Sequence, residues 1–251
     1  MPDRPNLIIV PVGDASLHVA WCDVQDRNYD VWIIYYGRDE DVLKRYSQRC
    51  ERTIQASGKK FHLIRSVALQ FAKDISQYQY VWFPDDDIRM HNGPGDVCRM
   101  FDTAKDIGAD LFQPAIANAL EGQTDLVGKY CSPNWETCLY IPNAKYHAVT
   151  SVEMMMFGFS REGFERCFLP ACVLARRSQT GWGVELIMTQ LLFAWKGAIE
   201  GCYVLDCIPA IHTRPLGSDP EHNRQGHEDM RAWGVVIDGV PREVIDIEYL
   251  R

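Results

Sequence analysis

The 251-residue chain has no apolar run of the length that a membrane-spanning helix requires. It also has no excess of positive charge, because 26 lysines and arginines stand against 34 aspartates and glutamates, for a formal net charge of −8. Nucleic acids and anionic membranes attract basic surfaces, so this balance argues against both as partners. The apolar stretch near the N-terminus, Leu7–Val10, is too short for a signal peptide, and we expect it to be a core strand.

The nine cysteines form neither a Cys-x-x-Cys pair nor a zinc-like spacing. Because the cysteines are odd in number and scattered, we interpret them as small apolar side chains in a reducing compartment. We therefore expect a cytoplasmic protein. Internal repeats and low-complexity tracts are absent as well. The hydrophobic content of 47% is sufficient for a sizeable core, which predicts one large domain or two closely packed halves.

The first half of the chain alternates between apolar runs of strand length and amphipathic stretches of helical period. Predicted strands cover residues 7–10, 31–36, 80–83 and 111–112, and predicted helices cover residues 40–56, 64–75 and 97–107. Gly58 and Gly108 are placed to end two of these helices, and Gln113-Pro114 to end the last strand. Such alternation predicts an α/β fold with a mostly parallel sheet and helices on both faces.

The second half changes character. Residues 116–150 are rich in Asn, Gly, Pro and Tyr, and we expect long loops and short antiparallel strands that form a binding surface. Beyond them, strands are predicted at residues 152–160 and 203–208, and helices at residues 161–169 and 186–195. The C-terminal residues are charged and carry no strong pattern.

Three consecutive carboxylates, Asp85, Asp86 and Asp87, follow the aromatic strand 80–83 directly after Pro84. Crowded acids at a strand end repel one another and lose hydration, and a hard divalent cation offsets both costs. Ligands in open α/β sheets bind beyond the carboxyl ends of strands, where this cluster is expected. A solvated acidic turn is the alternative, since Asp favours turns and N-caps. The strongly apolar strand before the acids favours the metal site.

Two further features could join the aspartates. A Gly-Trp-Gly segment, residues 181–183, leads to Glu185 at the start of a predicted helix. An acid in a first helical turn is stabilising in its own right. Glycines that flank a tryptophan, however, suit a loop whose backbone must approach a ligand while the ring stacks on it. His212 follows the last predicted strand; a lone histidine is usually structural, but at a strand end it could complete a metal site.

These residues resemble a known group of enzymes. PDDD after an aromatic strand resembles the Asp-x-Asp motif of GT-A-fold glycosyltransferases. GWGVE is similar to the Gly-Trp-Gly segment of metal-dependent inverting galactosyltransferases, in which an acid follows the glycines and a histidine on a late strand binds the metal. The wider pattern resembles a little-characterised bacterial and plant family of GT-A-like proteins, labelled as a domain of unknown function, over roughly residues 6–217. The motifs that carry this resemblance are Ser16-x-His18-x-x-Trp21, Tyr29-Asp30-x-Trp32, Tyr35-Tyr36-Gly37, VEMMMFGFS and GWGVE.

The resemblance implies a GT-A-like, Rossmann-related α/β fold with a smaller antiparallel acceptor-side region. It divides a single domain, residues 1–218, into a nucleotide-sugar-binding half of about 1–115 and an acceptor-side half of about 116–218. Residues 219–251 then form a C-terminal extension. The implied activity is that of a hexosyltransferase, which moves a sugar from a nucleotide-diphosphate sugar, expected to be a UDP-sugar, to a hydroxyl group of a carbohydrate or other acceptor. The resemblance favours inversion at the anomeric carbon.

The resemblance also assigns roles to the acids and the histidine. Asp87 is implied as the first metal ligand and His212 as the ligand from across the cleft. Asp85 would reach the metal or the ribose of the donor, and Asp86 could substitute in either role. Mixed oxygen and imidazole ligation favours Mn²⁺ over Mg²⁺. Glu185 is implied as the general base that deprotonates the acceptor hydroxyl.

Contacts with the donor nucleotide are expected from the first strands. Val12 and Tyr36 lie at strand ends where the base and ribose could bind, with Tyr36 as the stacking face. Lys59 and Lys60 precede a predicted helix and could reach a phosphate. The alternative is that both are ordinary charged residues of the surface.

Contacts with the acceptor or the sugar are expected from Trp182, as a wall, and from Gly183. Glu153 is an acid within an apolar run, so it is either functional or paired. The resemblance makes an acceptor-side role for it as plausible as a structural ion pair.

Three other functions stay open. A sugar nucleotidyltransferase would share the sheet and the metal but would show a Gly-rich basic loop after its first strand, where residues 13–18 (GDASLH) offer no lysine or arginine. A metal-dependent phosphohydrolase would need more His and Asp at other strand ends. A non-catalytic carbohydrate-binding protein would explain the tryptophan loops but would not require three aspartates.

Overall fold

A computed structural model of the chain describes residues 2–117, 133–214, 221, 224–226, 228–229 and 244–249. Its strands are β1 (Asn6–Val12), β2 (Tyr29–Tyr35), β3 (Arg52–Gln55), β4 (Tyr80–Pro84), β5 (Ile88–Met90), β6 (Leu111–Ile116), β7 (Ala144–Val149), β8 (Met156–Ser160), β9 (Cys202–His212) and β10 (Val244–Tyr249). Its α-helices are α1 (Val19–Cys22), α2 (Glu40–Ser47), α3 (Lys60–Gln70), α4 (Ala72–Ile75), α5 (Asp96–Asp106), α6 (Arg161–Gly163), α7 (Leu169–Leu174) and α8 (Val184–Lys196). A 3₁₀ helix covers Pro133–Cys138 and a π-helical turn covers Phe164–Phe168.

The described strands form one mixed sheet with the order β10-β7-β9-β6-β8-β4-β1-β2-β3, and β5 pairs with β9 outside this path. The strands β3, β2, β1 and β4 run parallel to one another, and β8 runs against both β4 and β6. The strand β9 is parallel to β6, whereas β7 runs against β9 and β10. Along this path only β7 and β8 therefore oppose the common direction, and the predicted mostly parallel α/β fold is confirmed.

The core fixes the strand that leads to the aspartates. The strands β1, β2, β4 and β6 are buried along their whole length, as expected where helices cover both faces of a sheet. On β4, the Phe83 ring lies 5.2 Å from that of Phe157 and 4.9 Å from that of Phe168, between ring centroids. Because close-packed aromatic rings resist displacement, the carboxyl end of β4 has a defined position.

Three short strands differ from the sequence-based expectation. The helix predicted over residues 40–56 ends at Ser47, and β3 follows within the predicted range. The guanidinium of Arg52 on β3 lies 4.0 Å from the centroid of the Trp32 ring on β2, so β3 is held by its neighbour rather than by a local apolar pattern. The strands β5 and β10 were not predicted either; β5 has three residues, and most of β10 is exposed.

Several boundaries also differ, each because of a partner strand. The strand β6 continues through Pro114, which is tolerated because the pairing with β9 shifts register directly after it. Residues 152–155 lie outside β8, since β4 ends at Pro84 opposite Met156 and offers no further ladder. The strand β9 runs beyond its predicted end to His212, because β5 pairs with its last three residues.

The helical predictions hold in outline. The helix predicted over residues 64–75 is divided into α3 and α4, and the one predicted over residues 161–169 continues through the π-helical turn into α7. Of the predicted loop region 116–150, residues 118–132 lie outside the described residues. Within the predicted C-terminal extension, β10 pairs with β7 and so belongs to the main sheet. In the part of the chain that the structure describes, no helix combines the length and apolarity needed to cross a membrane.

Candidate active site

The short strand β5 brings the aspartates and the histidine together. The three aspartates form the turn between β4 and β5, and the antiparallel pairing of β5 with β9 sets Ile88 opposite His212. As a result, the Nε2 atom of His212 lies 3.5 Å from Oδ2 of Asp87 and 4.0 Å from Oδ2 of Asp85. The register of a strand that the sequence did not reveal therefore sets the geometry of the cluster.

Two carboxylates and one imidazole form a group that could hold a cation. One ligand atom each from Asp85, Asp87 and His212 lies within 4.8 Å of the other two. Burial raises the pKa of Asp87 above its ordinary value and the charge of Asp85 raises it further, while His212 opposes the shift. Ionising this buried carboxyl group is thus unfavourable, and a bound cation would offset that cost. Oxygen and imidazole donors suit a divalent metal such as Mn²⁺.

The third carboxylate, that of Asp86, contacts other residues. The Oδ2 atom of Asp86 accepts a hydrogen bond of 3.1 Å from the backbone N–H of Gly13, and its Oδ1 atom lies 3.2 Å from Nη1 of Arg214. Burial raises the pKa of Asp86, although these two contacts oppose the shift. Asp86 therefore joins the end of β1 to the residues that follow β9, whereas Asp85 and Asp87 are the two carboxylates near His212.

Backbone hydrogen bonds hold the acidic turn from both sides. The carbonyl of Asp86 accepts a bond of 2.7 Å from the N–H of Leu17. The carbonyl of Asp87 accepts bonds from the N–H and the hydroxyl of Thr213, at 3.1 and 2.7 Å. The N–H of Asp85 donates to the carbonyl of Met155 at 2.7 Å. A turn restrained at each of its three residues is preorganised for a ligand.

A lysine lies beside the cluster. The Nζ atom of Lys60, the first residue of α3, lies 2.5 Å from Oδ1 of Asp85 and donates a 2.6 Å hydrogen bond to the carbonyl of Met154. Its neighbour Lys59 is the N-cap residue of the same helix. Of the two lysines predicted to contact a phosphate, Lys60 is therefore the one that contacts the aspartate cluster.

The end of β1 and the residue after β2 form an adjoining surface. Tyr36 is 41% exposed, and a Cβ atom added at Gly13 would lie 3.2 Å from its hydroxyl oxygen, so the ring covers this glycine. Burial of the hydroxyl raises the pKa of Tyr36 to about 12, which keeps the phenol neutral. The side chain of Val12 is fully buried, and its carbonyl accepts the N–H of Tyr36 at 3.0 Å. A contact between Val12 and a ligand would therefore involve its backbone, beside Gly13 and Tyr36, and the role of Val12 stays a prediction.

A cavity opens beyond the carboxyl ends of β2 and β3. Its volume is about 420 Å³, within the range of roughly 300–1,000 Å³ that is typical of small-molecule sites. Its lining is mainly polar. It is formed by Tyr35, Gly37, Arg38, Glu40, Leu43, Gln55, Ala56 and Ser57.

The Gly-Trp-Gly loop lies against the same helix as Lys60. Gly181 has φ +83°, and a Cβ atom there would lie 2.8 Å from Cβ and Cγ of Phe61, the residue after Lys60. Gly183 is the N-cap of α8 with φ +82°, a left-handed conformation that glycine adopts without strain. Glu185 follows in the first turn of α8 and is 7% exposed. Close packing on Phe61 and a positive φ favour a glycine at position 181, and the left-handed conformation favours one at position 183.

Two further predicted residues lie near these elements. Glu153 is half-buried, and its N–H donates a 2.6 Å hydrogen bond to Oε1 of the buried Gln113. It directly precedes the two residues whose carbonyls bind Lys60 and the N–H of Asp85. Trp182 is half-buried, and the backbone of Gly226 lies on its ring.

Sequence reasoning missed two residues that contact this region. Arg214, which binds Asp86, stands two positions after His212, and that spacing was an available signal. Asp229 accepts hydrogen bonds from residues 178–180, just before the Gly-Trp-Gly loop. It lies in a charged stretch without periodicity, and the sequence carried no signal for it.

No protein-family model matches the sequence, and no curated protein matches it. Solved structures do share its fold. Glucosyl-3-phosphoglycerate synthase from Mycobacterium tuberculosis, solved in complex with Mn²⁺, UDP-glucose and phosphoglyceric acid, has a TM-score of 0.51 and 15% identity, over 99% of this chain and 89% of that one. A mycobacterial protein gives a TM-score of 0.53 and 16% identity, over 95% and 78% of the two chains.

TarS from S. aureus gives a TM-score of 0.53 and 14% identity, over 95% of this chain and 40% of TarS. At such low identity these similarities bear on the fold alone. They support the mixed α/β architecture, and the fold is GT-A-like.

Proposed function

We propose that this chain is a metal-dependent glycosyltransferase, which moves a sugar from a nucleotide-diphosphate sugar to an acceptor hydroxyl with inversion. A UDP-sugar is the first candidate donor, since the similar synthase was solved with Mn²⁺ and UDP-glucose. The observation that carries the proposal is the group of Asp85, Asp87 and His212 at the carboxyl ends of strands in a GT-A-like fold. The scattered cysteines support a cytoplasmic location.

Asp85, Asp87 and His212 would hold the metal, and their oxygen and imidazole donors favour Mn²⁺, with Mg²⁺ as the alternative. A divalent cation bound there would neutralise the negative charge that develops on a diphosphate leaving group. Lys60, which contacts Asp85, would supply a second positive charge for the same phosphates.

The nucleotide end of the donor is assigned to the surface formed by Gly13 and Tyr36. The exposed phenol ring offers a stacking face, and Asp86 closes the surface from the side of the acids. The cavity at the ends of β2 and β3 provides additional room beside this surface. With this assignment, the donor-binding half of the domain covers about residues 1–115 and the acceptor half about residues 116–218.

Glu185 is the proposed general base, with Trp182, Gly183 and Glu153 as contacts for the sugar or the acceptor. The packing of Gly181 on Phe61 supports this role, because Phe61 adjoins Lys60 and Lys60 contacts Asp85. A carboxylate near the start of α8 could accept the proton of an attacking hydroxyl on the side opposite the leaving group.

A sugar nucleotidyltransferase is the second candidate, and Arg214 favours it. Such an enzyme needs positive charge at the loop after its first strand, and the sequence of that loop has none. In the structure, the Arg214 guanidinium donates to the carbonyl of Ala15 in this loop and contacts Asp86. The two candidates differ in their products, which are a nucleoside diphosphate for the transferase and pyrophosphate for the nucleotidyltransferase.

A panel of nucleotide sugars, with and without Mn²⁺, separates these functions. We expect metal-dependent release of a nucleoside diphosphate from one donor, and loss of that release in Asp87→Ala. Asp106→Asn, at an exposed position near the end of α5, is the matched control and should behave like the wild type. Pyrophosphate formation from a nucleoside triphosphate and a sugar phosphate would instead establish the second candidate. Binding of sugars without any turnover would contradict both.

A further inference from the structure

A single carboxylate oxygen organises the loop that precedes the proposed base. The Oδ2 atom of Asp229 accepts four hydrogen bonds from residues 178–180: from the Ser178 hydroxyl at 2.8 Å, the Gln179 N–H at 3.0 Å, the Thr180 N–H at 3.1 Å and the Thr180 hydroxyl at 2.9 Å. Asp229 is 5% exposed and stands some fifty positions away in the chain. Such convergence on a buried carboxylate fixes the path of this backbone.

The loop is held from the opposite side by α3. The guanidinium of Arg65 is buried and donates hydrogen bonds of 2.7 Å to the carbonyls of Ala175 and Ser178. The Ser178 hydroxyl also accepts a hydrogen bond of 2.9 Å from the N–H of Gly181. The restraint on the loop therefore extends to the Gly-Trp-Gly segment. Burial would raise the pKa of Asp229, but the hydrogen bonds that it accepts outweigh burial and lower that pKa. The carboxylate is therefore ionised near neutral pH and can accept all four bonds.

The segment that carries Asp229 also touches Trp182. A Cβ atom at Gly226 would lie 2.4 Å from Cδ2 and 2.6 Å from Cε3 of the indole ring, so only a glycine lets this backbone lie on the ring. Gln225 ties the two contacts together, because its Nε2 atom donates to Oδ1 of Asp229 at 3.0 Å. The residues 225, 226 and 229 thus restrain both the loop and its tryptophan.

We propose that Asp229 is the positioning residue of the Gly-Trp-Gly loop and, through the N-cap Gly183, of Glu185. Glycines give a loop little conformational preference of its own, so its geometry must be imposed by contacts from outside. The part of the proposal that concerns Glu185 rests on the proposed function, whereas the restraint on the loop does not. Residues 225, 226 and 229 thereby act in positioning the proposed active site.

Amide hydrogen exchange on the full chain tests the restraint without any assay of activity. In Asp229→Ala the amides of residues 179–181 should exchange at least about 10-fold faster than in the wild type, because their acceptors are lost or displaced. Glu228→Ala is the matched control, since Glu228 is the exposed preceding residue and pairs with Arg224 on the surface. Thr180→Val removes one of the four bonds and covers the case in which Asp229→Ala fails to fold. Unchanged exchange in both variants would overturn the proposal.

Kinetics tests the link to Glu185. Asp229→Asn should lower kcat at least about 10-fold and leave the KM for the donor and the affinity for Mn²⁺ unchanged, because only the base is displaced. Combined with Glu185→Gln, it should add little to the loss caused by Glu185→Gln alone. A faster-exchanging loop with unchanged kcat would overturn the positioning of Glu185 and leave the transferase proposal intact. If the wild type transfers no sugar, the exchange comparison still decides whether Asp229 restrains the loop.

Discussion

The Nζ atom of Lys60 lies 2.5 Å from Oδ1 of Asp85, within the group of acids proposed to bind a metal. The ammonium group partly neutralises these carboxylates in the absence of a cation. It would therefore compete with a metal for Asp85, and on metal binding it would become available to the phosphates of the proposed donor. The same lysine should thus oppose metal binding and favour donor binding.

We predict that Lys60→Met binds Mn²⁺ alone about 3-fold more tightly, in keeping with the modest strength of a partly exposed ion pair. The same variant should bind UDP about 10-fold more weakly in the presence of Mn²⁺, because a charge-assisted contact with phosphate is lost. Isothermal titration calorimetry measures both affinities. Lys59→Met is the matched control, and equal effects of the two substitutions would contradict the role of Lys60.

A second prediction concerns the metal dependence of nucleotide binding. UDP at about 100 times its Kd should stabilise the wild-type protein by about 2.7 kcal/mol in Mn²⁺, since only the native state binds it. Little stabilisation should remain in chelator or in Asp87→Ala. Thermal unfolding with and without UDP measures the difference. The substitution alone should leave the fold intact, because it removes a carboxylate whose ionisation is disfavoured by burial. Equal stabilisation by UDP in chelator would contradict a metal bridge.

The third prediction concerns the buried His18, which precedes α1. Its Nδ1 atom lies 2.7 Å from the Ser16 hydroxyl and its ring packs edge-on against Tyr46, whereas Nε2 is buried without a hydrogen-bond partner in the described part of the chain. Burial, with a smaller contribution from the charge of Arg49, lowers the pKa of His18 from 6.5 to about 4. The unfolded chain therefore binds a proton between these two pH values and the folded protein does not.

Stability should accordingly fall as the pH is lowered from 6.5 to about 4, with a contribution from His18 of about 3 kcal/mol over the whole window. In His18→Gln this dependence should be absent, although the variant is less stable at neutral pH. Urea unfolding at several pH values measures the slopes, and comparison with the wild type cancels the contributions of the carboxylates. His91→Gln, at an exposed position, is the control. Parallel slopes in the wild type and His18→Gln would contradict the prediction.

How much the sequence could predict depended on whether a feature is local. The strand that precedes the aspartates is a continuous apolar run, and it lies in the core where both faces of the sheet are covered. By contrast, β3 and β10 lie at the two ends of the sheet order, where β3 is only partly buried and β10 is mostly exposed. Their pairing depends on a neighbouring strand, which local periodicity does not encode.

The same distinction holds for the candidate site. That Asp87 and His212 would lie together was inferred from their positions after two strands, which parallel sheets bring to one edge. Their distance of 3.5 Å depends on the register between β5 and β9, and the sequence gives no sign of β5. The position of Arg214 two residues after His212 was a signal for its bond with Asp86. The bonds of Asp229 join residues some fifty positions apart in a stretch without periodicity, so no spacing rule could reveal them.

The last prediction tests the general base. Glu185→Gln preserves the size of the side chain and much of its hydrogen bonding but removes the basic group. If Glu185 accepts the proton of the acceptor hydroxyl, kcat should fall by about 10²–10⁴-fold, while the affinities for UDP and Mn²⁺ should hardly change. If Glu185 only favours the first turn of α8 electrostatically, the substitution should cost about 1 kcal/mol of stability or less and leave kcat intact. Transfer kinetics, calorimetry and urea unfolding on one preparation distinguish these outcomes. A variant that transfers sugar at nearly the wild-type rate would move the search for the base to Glu153, which directly precedes the two residues whose carbonyls bind Lys60 and the N–H of Asp85.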